Sequence, residues 1–228
     1  MLRILVANAK GGCGKTTIAT QLAAAFAAGG HFTALADADR QRSSLGWLAR
    51  RPAQAAAIVG LDWSKEVGAP TRRTGRLVVD AAPALRGKRI AELVKSADLV
   101  VLPVLPSIFD ETATRRFLDR LATFGSIAKG RKSVVVVGNR MRAGTGAAVH
   151  LEKVFAGIGH PLVAWLRDSR LYAAAAADGL SLFDARGKRA RGLRLDWQPL
   201  LDYVERAAED QAPAAGRRGQ PKATVTTS

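Results

Sequence analysis

The sequence predicts an α/β fold: one domain with a mostly parallel sheet covered by helices on both faces. Three observations predict it. Apolar runs of strand length recur at residues 2–7, 32–36, 77–80, 99–104 and 133–137, reading as buried strands. Helical patterns alternate with these runs across short turns. The chain has 228 residues, 48% of them hydrophobic, enough for one sizeable core and too many for a disordered chain. No internal repeat and no second domain is visible.

Composition narrows the function. The formal net charge is +16, which points to a polyanionic partner, nucleic acid first and an anionic membrane second. A single cysteine excludes an internal disulfide framework and fits a reducing cytoplasm. Lys10 and the glycines interrupt the apolar start, so no signal peptide is read there. No apolar run approaches the length that spans a bilayer.

The first strand, 2–7, runs into Ala9-Lys10-Gly11-Gly12-Cys13-Gly14-Lys15-Thr16-Thr17, and a helix is expected over 18–28. Strand, glycine-rich turn, Lys-Thr and helix form the context of a phosphate-binding loop. Glycines let successive backbone N–H groups turn onto phosphates, and the helix N-terminus adds donors and a favourable dipole. Lys15 would reach the β- and γ-phosphates of ATP, and Thr16 would offer its hydroxyl to Mg²⁺. The expected architecture is therefore a three-layer P-loop NTPase.

Ala9 stands where the usual loop has its first glycine, and a second lysine, Lys10, precedes Gly11-Gly12. This K-G-G-x-G-K-T-T run resembles the deviant Walker A motif of the ParA/MinD family of ATPases. The resemblance implies that Lys10 reaches across an ATP-bound homodimer to the partner's nucleotide. It implies cofactor contacts from Lys10, Gly11, Gly12, Cys13, Gly14, Lys15, Thr16 and Thr17.

Gly29-Gly30 ends the first helix, and 32–36 is the second strand. It leads into Asp37-Ala38-Asp39-Arg40-Gln41-Arg42-Ser43. Two aspartates at i and i+2 on an extended segment point the same way, at the strand end where α/β sheets bind ligands. The family usually shows D-x-D-P-Q-x-S here, and Arg40 replaces the proline. The resemblance implies that Asp37 helps hold Mg²⁺ through water and that Asp39 orients or activates the attacking water. A short helix over 44–51 stops before Pro52, 55–61 is a possible strand, and 62–74 reads as loop or short helix. Residues 77–80 end in Asp80, followed by Ala81-Ala82-Pro83, the Walker B pattern, and Asp80 would be a Mg²⁺ partner.

A helix over 90–96 and a strand over 99–104 follow. A segment similar to Pro103–Ser107 lies beside the nucleotide and the dimer seam in the family; a rigid strand-to-helix turn explains its prolines equally well. Phe117, Leu118, Leu121 and Phe124 make a core stripe on a helix over 109–124. The strand over 133–137 is followed by Gly138-Asn139-Arg140, and family likeness makes Asn139 the candidate adenine contact, with a turn cap as the plainer role. Helices over 147–155 and 170–177, a strand over 162–166, and a closing helix with Trp197, Leu200, Leu201 and Val204 on one stripe complete the domain.

The positive charge is uneven. Arg186, Lys188, Arg189, Arg191 and Arg194 cluster between Asp184 and Asp196, with Arg167 and Arg170 just upstream. These are the candidate DNA-binding residues, contacting phosphates without reading bases. Residues 1–210 are assigned to the ATPase domain and 211–228 to a disordered basic tail carrying Arg217, Arg218 and Lys222. The resemblance spans 1–206 and is nearest the small, ParF-like ParA proteins. It implies an ATP-dependent homodimer that binds nucleoid DNA non-specifically, in the cytoplasm. A ParB-like or cargo-adaptor protein would stimulate hydrolysis, segregating plasmid or chromosome DNA or positioning a protein cargo. The early first strand implies that no helix-turn-helix precedes it, unlike longer ParA proteins. Rival readings are a membrane-associated ATPase like MinD and a metabolic P-loop ligase. The tail has few large apolar residues for a membrane helix, so no membrane partner is expected. A lone cysteine argues against an iron–sulfur reductase, and the scattered His31, His150 and His160 suggest no metal site.

Overall fold

Every strand of the sheet runs parallel to its neighbours, and the reason is visible in the spacing: a helix or long crossover separates each strand from the next. The computed structural model describes residues 1–85 and 87–211. The strands are β1 (Leu2–Val6), β2 (Thr33–Asp37), β3 (Ile58–Asp62), β4 (Arg76–Asp80), β5 (Leu99–Val104), β6 (Ser133–Met141) and β7 (Leu162–Arg167). They lie in the order β3-β2-β4-β1-β5-β6-β7. The helices are α1 (Lys15–Ala28), α2 (Ser43–Ala49), α3 (Gly87–Ser96), α4 (Ile108–Ala122), α5 (Gly125–Ala128), α6 (Gly146–Gly157), α7 (Arg170–Ala177), α8 (Lys188–Arg194) and α9 (Gln198–Gln211).

The inner strands are apolar on both sides because both sides are buried. Alternate residues feed two cores. Leu5, Leu77, Val100 and Val136 pack with Ile90 and Leu93 of α3, Phe117 and Leu121 of α4, and Phe155 of α6. Ile4, Val6, Val78, Val101 and Val137 pack on the other side with Ile18 and Leu22 of α1, Trp47 of α2, and Trp197, Leu200 and Val204 at the chain's end. Full burial of one such side chain is worth about 1.5–3 kcal/mol.

Register brings the carboxylates together. Val6 pairs with Asp80 and Asp37 pairs with Asp80, so the ends of β1, β2 and β4 stand level. The order also reverses here, because the chain passes from β1 to β2 on one side and from β4 to β5 on the other. Such a switch point leaves a crevice at the carboxyl ends.

Several elements differ from expectation. The sheet is wholly rather than mostly parallel. Helix α1 begins at Lys15, three residues early, because the glycine loop delivers the chain directly into helical geometry. It ends as expected: Gly30 takes φ +86° and the His31 N–H bonds the Phe26 carbonyl. Strand β6 continues to Met141, so Asn139 lies inside the strand rather than beyond it. The basic cluster forms a short helix, α8, fastened by Ala190 and Leu193 beneath it. The helix α9 carries the chain to Gln211, and the expected tail beyond it, with Arg217, Arg218 and Lys222, lies outside the described residues.

Candidate functional site: a glycine loop facing two carboxylates

The loop between β1 and α1 presents its backbone donors. Among the described residues, no carbonyl or side chain accepts from the N–H groups of Gly11 through Thr17; the first helical bond runs from Ile18 to Gly14. A row of free N–H groups at a helix N-terminus is a nest for an anion. Gly14 takes φ +97°, and a Cβ there would run into Asn139 Nδ2, so glycine is required on both counts. Lys15 is buried, and its ammonium crosses the loop to the Lys10 carbonyl at 2.8 Å. The Lys10 side chain is exposed. Cys13 is buried with its thiol on the Lys10 carbonyl at 3.3 Å, and burial pushes its pKa up, which makes it inert packing.

Opposite the loop stand Asp37 and Asp80, both fully buried. Asp37 is occupied: Oδ2 accepts from the Ser44 N–H at 2.9 Å, the Ser44 hydroxyl at 2.7 Å and the Leu45 N–H at 3.1 Å, and Oδ1 from the Asp39 N–H at 3.0 Å. It anchors the start of α2, a role that local sequence reading missed; the serine seven residues on was its signal. Asp80 is different, because its Oδ1 has no hydrogen-bond partner. Burial pushes its pKa up to about 7; the Thr16 hydroxyl opposes this and the Asp37 charge adds to it. A buried carboxylate with an orphan oxygen, a second carboxylate nearby and a threonine hydroxyl make an all-oxygen set. That set fits a hard divalent cation such as Mg²⁺. Asp39 is half-buried, its Oδ1 accepting from Gln41 N–H at 3.0 Å. Each of the two aspartates thus caps the backbone N–H two residues on.

Asn139 serves the loop. Its Nδ2 donates to the Cys13 carbonyl at 2.8 Å and its Oδ1 accepts from the Arg140 N–H at 3.0 Å. The pairing of β6 with β7 slips between Gly138 and Met141, and Arg140 takes φ +51° at the slip. Next to it a cavity of about 300 Å³ opens, lined by Thr17, Asn139, Arg140, Ser169 and Tyr172 among others. It adjoins the loop and suits a planar base.

The basic residues divide. Arg186, Lys188, Arg189 and Arg191 are exposed, and among the described residues none pairs with a carboxylate. Arg194 is half-buried and donates to the Leu182 carbonyl at 3.4 Å. Arg167 is committed elsewhere: its Nε pairs with Asp196 at 2.7 Å and its Nη2 donates to the Gly192 carbonyl at 2.6 Å, tying β7 to α8. With Arg170 it lines the 300 Å³ cavity, and Arg170 also meets Arg189 of α8 at a second cavity.

Residues 4–183 match the family described as the CobQ/CobB/MinD/ParA nucleotide binding domain. The maintenance of carboxysome distribution protein A of Gloeobacter kilaueensis is 31% identical over 211 residues, covering 89% of this chain and 94% of that protein. Its namesake from Halothiobacillus neapolitanus is 28% identical over 197 residues, covering 82% and 90%. The solved Cyanothece McdA(D38A)–ATP complex superposes with a TM-score of 0.67 at 17% identity, covering 92% of this chain and 96% of that one. At that identity the likeness is one of fold.

Proposed function

Since the chain belongs to the CobQ/CobB/MinD/ParA nucleotide-binding domain family, we propose that it is an ATP-driven positioning protein, a Mg²⁺-dependent ATPase that rides the nucleoid and distributes a large protein cargo. The observation that carries the nucleotide reading is the free N–H row of Gly11 through Thr17 facing the orphan oxygen of Asp80. The two relatives named for carboxysome distribution favour a protein assembly over a plasmid as cargo.

The residues divide the work. The N–H row cradles the phosphates, and Lys15 exchanges its carbonyl contact for the β- and γ-phosphates. Thr16, Asp80 and Asp37 would hold Mg²⁺, which when bound would supply charge neutralisation at the phosphates. The adenine sits in the 300 Å³ cavity beside Asn139. Asp39, free on one oxygen, orients the attacking water. Exposed Lys10 reaches the phosphates of a second subunit and stabilises charge developing there. The closed dimer doubles the α8 patch, which binds DNA through phosphates alone. An adaptor on the cargo stimulates hydrolysis, and the dimer releases DNA.

The deciding experiment is binding to random-sequence DNA without nucleotide and with ADP, ATP or a non-hydrolysable analogue, at two salt concentrations. Binding confined to ATP and its analogue, falling steeply with salt, is expected. Binding to anionic vesicles in place of DNA would overturn the nucleoid reading and leave a membrane-associated ATPase.

A further inference from the structure

A second cavity, about 460 Å³, adjoins the base cavity and is lined by Arg142, Asp168, Ser169, Arg170 and Arg189. Its three guanidiniums come from three separate elements: Arg142 directly after β6, Arg170 at the start of α7 and Arg189 on α8. The one carboxylate in the lining is Asp168, and it pairs with Arg142 at 3.1 Å. That pair is exposed, 75% and 42% at the side chains, and an exposed pair contributes about 1 kcal/mol or less. Arg142 can therefore leave Asp168 at little cost. Among the described residues neither Arg170 nor Arg189 has a carboxylate partner.

The two cavities share a wall. Asp168, Ser169 and Arg170 line both. The wall is held from behind, since Asp168 N–H bonds the Met141 carbonyl and Ser169 Oγ accepts from Leu171 N–H.

We propose that Arg142, Arg170 and Arg189 form a seat for a backbone phosphate of DNA, with Asp168 as the counter-charge that Arg142 gives up when the phosphate enters. The proposal rests on the reading of the chain as a DNA-riding ATPase and deepens it in two ways. It adds Arg142, which lies far outside the C-terminal basic cluster in sequence. It also places the DNA phosphate and the nucleotide base against opposite sides of residues 168–170. Guanidinium groups suit the task, because each presents a fork of donors to two phosphate oxygens.

The test uses the full chain, the non-hydrolysable ATP analogue and a random-sequence duplex, titrated across a salt series. Arg142→Ala is expected to weaken DNA binding about five- to tenfold and to lower the slope of log affinity against log salt by about 1 per subunit. Arg142→Lys is expected to recover part of the loss, keeping charge without the fork. Asp168→Asn is expected to tighten DNA binding by freeing Arg142. Arg206→Ala, exposed on α9 and away from the seat, is the control and is expected to bind DNA as the parent does. Equal losses in Arg142→Ala and Arg206→Ala would mean bulk charge and overturn the seat. So would parental affinity and slope in Arg142→Ala, with the ATPase reading left intact. A parent that binds no DNA in any nucleotide state would overturn both. Inorganic tripolyphosphate bound at the seat more tightly than the duplex would reassign it to a free anion.

Discussion

The Asn139 amide donates to the Cys13 carbonyl at 2.8 Å, fastening the glycine loop to a strand two places away from β1. Both groups are buried, so the bond fixes the loop's shape before any phosphate arrives.

Asn139→Ala removes the donor and leaves the Cys13 carbonyl without a partner, a loss of about 1–3 kcal/mol. ATP affinity is expected to fall about tenfold, measured by calorimetry. Asn139→Asp, which has no donor, is expected to do no better; parental affinity in either variant would deny the loop this support.

Lys15 and Asp39 are expected to fail differently. Lys15→Ala should lose hydrolysis by about a hundredfold or more, through lost phosphate stabilisation. Asp39→Ala should bind ATP and dimerise while turning over about a hundredfold more slowly. Turnover assays paired with size-exclusion chromatography separate the two, and a monomeric Asp39→Ala with normal turnover would contradict its role.

Asp80 predicts a pH effect. Its folded pKa of about 7 lies above the ordinary 3.8 because burial disfavours the charged form. The folded protein therefore holds a proton that the unfolded chain has lost, and stability falls as pH rises from about 4 to about 7. The effect reaches at most about 4 kcal/mol. Asp80→Asn removes it, so the variant's melting temperature is expected to gain on the parent's across that window and run level beyond it. Binding of Mg²⁺ needs the carboxylate and is expected to strengthen over the same rise.

Arg51 and Asp184 form a buried ion pair at 2.7 Å, with side chains 5% and 8% exposed. Burial opposes the Asp184 charge, but the bonds from Arg51 and Ser181 outweigh it and hold the carboxyl below its usual range. Its stabilisation is present above the unfolded value and is lost as pH falls through the folded one. Arg51→Met alone is expected to destabilise by about 3–5 kcal/mol in urea unfolding, and Arg51→Met with Asp184→Leu to recover most of that loss.

What could be read from the sequence was local. The loop from Lys10 to Thr17 and the strand ending in Asp80 carry their chemistry in consecutive residues, and the structure sets them face to face. What could not be read depends on partners far along the chain. Asn139 is a base candidate by position, but its bond to the Cys13 carbonyl, 126 residues away, has no local signal. Arg167 counted as free charge until Asp196 folded against it. Arg142 carried no signal, because only the packing of β6 beside α7 and α8 brings it near Arg170 and Arg189.

The parallel pairing of β1 also governs how the chain is made. Leu2–Val6 finds its neighbours only at Arg76–Asp80 and Leu99–Val101. At a translation rate of about 5–20 residues per second, the first strand waits roughly 5–20 seconds for them to be synthesised. Until then Leu2–Val6, and the Ala-rich helix after it, lack the strands they pair with and pack on. The sheet is thus assembled from contacts of long sequence separation, and the chain is expected to fold more slowly than a helical bundle of the same size.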